Sequence, residues 1–111
     1  MKFSFWQWLP IHRWRIVGMV ESADEIPEKL PPKGAVLVGT KNYSKWLAFD
    51  CPCGGRHRIM LNMDQHRWPN WTIQSLKPMT INPSVDSWEK GQRCHYFIRK
   101  GRVQWVPNDL S

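Results

Sequence analysis

The 111-residue chain carries 16 lysines and arginines against nine acidic residues, a formal charge of +7. That length suits one domain and leaves no room for a second hydrophobic core. No stretch reaches the ~18 apolar residues of a membrane span, and the apolar start over residues 1–11 is broken by Gln7 and Pro10 without a small-residue cleavage site after it. The expectation is a single cytoplasmic domain over 1–111, with 1–12 as an N-terminal arm and 34–106 as the core.

Nine prolines and seven glycines are spread so that long helices have nowhere to form, whereas short strands fit between them. The expected fold class is mostly β: a small antiparallel sheet or open barrel with a zinc knuckle and at most one short helical turn. Eight tryptophans give such a domain a large apolar area, either as core or as an exposed stacking or partner surface. With only three cysteines, two of them one residue apart, a disulfide framework is implausible, and metal binding in a reducing compartment fits the spacing better.

In chain order, residues 14–20 read as a first strand. An acidic, proline-bearing connection follows, in which Ser22 caps a short helical turn through Leu30, with Glu25 three residues on and Pro27 keeping it short. Residues 34–40 and 45–51 look like paired strands, the second leading directly into a Cys-Pro-Cys-Gly-Gly turn. Over 57–63 the alternation of Ile59, Leu61 and Met63 with Arg58, Met60 and Asn62 marks a half-buried strand. Short strands are expected at 71–76 and 79–82. The clearest hairpin pairs 94–98 with 103–106 across Arg99-Lys100-Gly101-Arg102, with Ile98 facing Val103 and Tyr96 facing Trp105. Period-2 alternation then puts Cys94, Tyr96, Ile98, Val103 and Trp105 on one apolar face, with His95, Phe97 and Gln104 on the other.

The chemistry begins at Cys51-Pro52-Cys53. Thiolates at i and i+2 of an extended segment point the same way, and the following glycines let the backbone return His57 toward them. Zn2+ accepts thiolate and imidazole ligands in a tetrahedron and staples small domains. Two ligands come from Cys51 and Cys53, and the other two from among His57, Cys94 and His95. The bland alternative treats the cysteines as small buried hydrophobes and the histidines as ordinary strand residues.

The run from Phe49 through Cys51, Cys53 and His57, then Asn82-Pro83-Ser84, then Cys94-His95 through Ile98, Gly101, Val103 and Trp105, resembles a bacterial family of small domains of unknown function. Its members look like CPCGCGH, a Ser-Pro-Ser stretch and CxSHFxIxxGxVxW. Some are encoded beside bacterial ubiquitin-like proteins and their activating enzymes in phage-defence-like operons. The resemblance covers roughly 34–106. It implies Cys51, Cys53 and His95 as ligands, with His57 beside them. Gly55 replaces a family cysteine and Gln92 another, so that Cys94, at the family's serine, could serve instead. The hairpin faces favour Cys94 over His95, and the two indications stay in conflict at the level of sequence.

Three functions follow. The first is a zinc-binding accessory or interaction module of a ubiquitin-like conjugation or antiphage defence system, with a protein partner such as a ubiquitin-like protein or its activating enzyme. The second is a zinc-dependent hydrolase or peptidase acting on a ubiquitin-like tag, with Ser84 and Asp50 as candidate catalytic residues; no HExxH or GxSxG signature accompanies them. The third is nucleic-acid binding through Arg56, Arg58, Arg67, Arg93, Arg99 and Arg102, with tryptophans stacking on bases.

Overall fold

Short apolar runs separated by turn residues leave this chain one economical solution, two small sheets that bury each other's inner faces. The computed structural model describes residues 13–54, 57–89 and 91–107, so the expected arm over 1–12 and Arg56 lie outside the described residues. One sheet is ordered β1(Arg15–Val20), β2(Gly34–Thr40), β3(Tyr43–Asp50), β4(Arg58–Asn62); the other is ordered β5(Thr72–Leu76), β6(Met79–Glu89), β7(Gln92–Arg99), β8(Arg102–Trp105). All neighbours are antiparallel except β1 and β2, which run parallel. The mostly β expectation holds, in the form of two sheets rather than one.

The helical element is a single 3-10 turn over Ala23–Glu25. Glu25 anchors its start by reaching back, its carboxylate accepting the N–H groups of Glu21 and Ser22 at 3.0 and 3.2 Å. It ends well short of Leu30 because Pro27 cannot extend it.

Alternation decides which side chains enter the core. Along β7, Cys94, Tyr96 and Ile98 are buried while Arg93, His95 and Phe97 are only half-buried on the opposite face. They meet Leu47 and Phe49 of β3, Ile59 and Leu61 of β4, and Met79, Ile81 and Val85 of β6 in one cluster. Each fully buried side chain of this size contributes about 1.5–3 kcal/mol. Trp14 joins the sheets: its ring meets Phe49 edge-on at 5.4 Å, its N–H donates to the Gly101 carbonyl and its own carbonyl accepts from Met79, both at 2.8 Å. Trp71 is half-buried against the same core, whereas Trp68, Trp88 and Trp105 are exposed. The tryptophans therefore divide between core and surface.

The β7–β8 hairpin has the expected register, with Tyr96 opposite Trp105 and Ile98 opposite Val103. Its turn uses positive φ at Lys100 (52°) and Gly101 (78°). A Cβ on Gly101 would come within 2.9 Å of the Arg13 and Pro78 side chains. Gly101→Ala is therefore expected to destabilise the fold by about 1–3 kcal/mol, combining φ strain with crowding, and a lowered urea midpoint at unchanged slope would register it.

β6 is much longer than the strand expected at 79–82. It continues through Asn82-Pro83-Ser84 to Glu89, with a register shift against β7 between Ile81 and Val85. That irregularity accommodates Pro83, which has no N–H to give the ladder.

Candidate functional site

The Cys-Pro-Cys turn links β3 to β4. Cys51 directly follows β3, residues 52 and 53 turn the chain, Gly54 takes φ 84°, and the Cys51 N–H closes the loop on the His57 carbonyl at 3.0 Å. This knuckle aims Cys51, Cys53 and His57 inward, where Cys94 reaches them from β7 of the other sheet. The four ligand atoms lie within 4.8 Å of one another, and Cys53 Sγ is 3.7 Å from His57 Nδ1. Three sulfurs and one ring nitrogen at such spacing match the donor set of a tetrahedral metal site, needing only slight contraction around an ion at about 2.0–2.3 Å.

One further contact fits a cation there. The Tyr96 hydroxyl, fully buried, donates to Cys51 Sγ at 3.6 Å, an outer contact that would help to localise negative charge on the sulfur. With the protein groups alone, burial pushes the Cys51 thiol up and the Cys94 thiol up to about 12, the crowding of the other thiols adding to Cys94. A divalent ion would supply the charge that reverses this. Cys51, Cys53, His57 and Cys94 therefore sit close enough to bind a metal ion, and they bridge the two sheets.

His95 is not in that group. As the residue after Cys94 on a strand it points to the opposite face, where its Nε2 lies 2.9 Å from Ser84 Oγ. The hydroxyl of Ser84, half-buried on β6, is thus in hydrogen-bond contact with an imidazole. The Trp71 indole N–H donates to the Ser84 carbonyl at 3.1 Å, tying the serine's backbone to the start of β5. His95 Nδ1 is buried without a hydrogen-bond partner. Asp86 stands directly opposite His95 in the ladder, but its carboxylate is gripped by Arg93 at 2.8 and 2.6 Å. That contact holds the Asp86 carboxyl below its ordinary range, helped by the positive charge of a protonated His95.

The remaining candidates are dispersed. Asp50 is bound to Arg58 at 2.7 Å at the other end of the knuckle. Among the basic residues, Arg58, Arg67 and Arg93 have carboxylate partners in Asp50, Asp64 and Asp86, so half of the arginines expected to meet phosphate are already paired. The roles of Trp71 and of the Asp86–Arg93 pair were not legible from the residues taken singly. The Ser84–His95 contact depends on the β6–β7 register, in which Glu89 pairs with Gln92 and Asp86 with His95.

A mostly β chain thus gathers three thiols and an imidazole between its sheets and carries a serine–histidine contact on the outer face of one of them. Residues 22–106 match the family described as bacterial ubiquitination-like system serine protease (BubE), and the chain belongs to that family. No match emerged among curated proteins or solved structures. Among the described residues no helix is long and apolar enough to cross a membrane.

Proposed function

We propose that the chain is a serine peptidase of a bacterial ubiquitination-like system, with Ser84 as nucleophile, His95 as general base and acid, and a structural Zn2+ held by Cys51, Cys53, His57 and Cys94. The observation that carries this reading is the 2.9 Å contact between Ser84 Oγ and His95 Nε2; the family's own description, a serine protease, supports it. A serine hydroxyl is a weak nucleophile until an adjacent base removes its proton.

The chemistry follows from that contact. Nε2 takes the hydroxyl proton as Oγ attacks the carbonyl carbon, then delivers it to the departing amine as the carbon–nitrogen bond breaks and an acyl-serine forms. Water, deprotonated by the same nitrogen, adds to the ester and releases the acid and the free serine. The imidazolium formed midway faces the Asp86–Arg93 ion pair across the ladder, in which the guanidinium offsets much of the carboxylate's attraction. Four such donors would close the coordination of a bound Zn2+, so the ion would serve the fold and not the reacting carbonyl. Pinning Cys94 fixes the strand on which His95 sits.

The direct test is covalent. A fluorophosphonate probe, which phosphonylates an activated serine, is expected to add once per chain of metal-loaded protein and to map to Ser84 by mass spectrometry. Absence of an adduct on folded protein returns the chain to the non-catalytic accessory reading. Trp71→Phe, which keeps the ring but deletes the indole N–H to the Ser84 carbonyl, is expected to slow this labelling by about tenfold, matching the loss of one positioning hydrogen bond.

A further inference from the structure

The outward face of the β5–β8 sheet contains more than the serine and histidine. Going back along β6 from Ser84, Asn82 and Thr80 share its face, and across the ladder Phe97 and Arg99 follow His95 on β7. At that end of the face lies a cavity of 460 Å3 lined by Gln74, Ser75, Thr80, Asn82, Arg99 and Lys100, along with Pro78. Its polar lining consists of hydroxyls, amides and two cations, without a carboxylate.

Both cations are set in place. The Arg99 guanidinium stacks over the Phe97 ring, 4.0 Å from its centroid, and donates to Gln104 Oε1 at 3.2 Å. Such a flat, braced fork still has donors to offer a carboxylate. Lys100 is fixed through its backbone, its N–H donating to Thr80 Oγ1 at 2.8 Å within the positive-φ turn. Among the described residues neither has a carboxylate partner, in contrast to Arg58, Arg67 and Arg93. Because β6 bulges between Ile81 and Val85, Thr80 is only about 10 Å from Ser84 along the strand, the span of roughly three extended residues.

From this arrangement we infer that the cavity is a specificity subsite that takes an acidic side chain, Asp or Glu, of the polypeptide cleaved at Ser84. The inference rests on the peptidase reading, and it goes further by naming a feature of the substrate. An extended chain crossing the Ser84–His95 pair places a residue two to four positions from the scissile bond over the cavity. There a carboxylate meets Arg99 and Lys100, with the Asn82 amide and the Thr80 hydroxyl beside them. A lysine or arginine at the same position would face two like charges.

The test uses full-length, metal-loaded protein and a library of synthetic ten-residue peptides with randomised positions, the products being read by mass spectrometry. Wild-type protein is expected to enrich Asp and Glu by about tenfold at one position two to four residues from the cut. The Arg99→Glu, Lys100→Glu double variant is expected to exchange that preference for Lys and Arg, and the Arg99→Gln, Lys100→Gln variant to abolish it. Cleavage without acidic enrichment, or enrichment unchanged in both variants, overturns the subsite and leaves the peptidase standing. In parallel, 15N-labelled Ser84→Ala protein is titrated with N-acetylglutamate amide and with N-acetylglutamine amide. Amide shifts at Asn82, Arg99 and Lys100 with the acid alone support the subsite even if no library peptide is cut, and their absence overturns it. Fluorophosphonate labelling of Ser84 in the same preparation reports separately on the nucleophile.

Discussion

Ser84→Ala and His95→Ala are each expected to lower the cleavage rate by at least about 10³-fold, and the double variant to be no slower than either alone. Residues that act as one unit fail together, because a hydroxyl without its base and a base without its hydroxyl are equally unable to deliver an alkoxide equivalent. The measurement is the rate of cleavage of a ubiquitin-like substrate by each metal-loaded variant, with thermal unfolding recorded beside it. Both side chains are half-buried on the outer face of their sheet, and neither is in the core cluster. Their removal should therefore shift the melting temperature little, which separates loss of chemistry from loss of fold. Additive losses, or a Ser84→Ala variant that keeps wild-type rates, would assign the hydroxyl–imidazole contact to packing.

Removal of the metal should have a comparable effect by a different route. Three donors come from the β3–β4 turn and the fourth from β7, so a bound ion would tie together two sheets that otherwise adhere through apolar contact and a few backbone hydrogen bonds. A strong chelator, or Cys51→Ser, is expected to unfold the protein or lower its melting temperature by tens of degrees, as apparent binding energies of about 10–16 kcal/mol for structural zinc imply. Serine labelling should disappear together with the tertiary signal, and re-addition of Zn2+ should restore both. Protein that loses its metal yet still labels at Ser84 would show that the ion and the nucleophile are independent.

The same site fixes a pH dependence. In the protein alone burial raises the Cys51 thiol, and the Cys94 thiol reaches about 12, so both are protonated near neutrality. Binding an ion must expel those protons, and the apparent affinity rises with pH. It should fall by about tenfold per pH unit for each thiol proton that returns as the solution is acidified. Competition with a chromophoric chelator between pH 6 and 8 gives the slope, and a flat profile would argue against thiolate ligation.

Much of this was legible in the residues themselves. The turn at Arg99-Lys100-Gly101-Arg102 fixes the last hairpin, and with it the faces of β7, because a two-residue turn with Gly at the second position allows one register. That register also resolves Cys94 against His95 as the residue that joins Cys51 and Cys53. The family resemblance favoured His95, but a strand cannot turn two successive side chains to the same point. The Ser84–His95 pair was harder to see. The two residues meet through a bulged strand, and the serine follows a proline where a short strand was expected to have ended. Asn82-Pro83-Ser84 marks the hydroxyl, but nothing local joins it to His95; only the pairing of β6 with β7 brings base and hydroxyl together. Asp50, beside the knuckle in sequence, is drawn off by Arg58 because that arginine stands opposite it in the β3–β4 ladder.

The division of β7 between two tasks limits how this protein can change. Cys94 looks inward to the thiol cluster and His95 outward to the serine. Inserting or deleting one residue between Gln92 and Arg99 would exchange the two sides at a stroke, sending the imidazole into the core and the thiol into solvent.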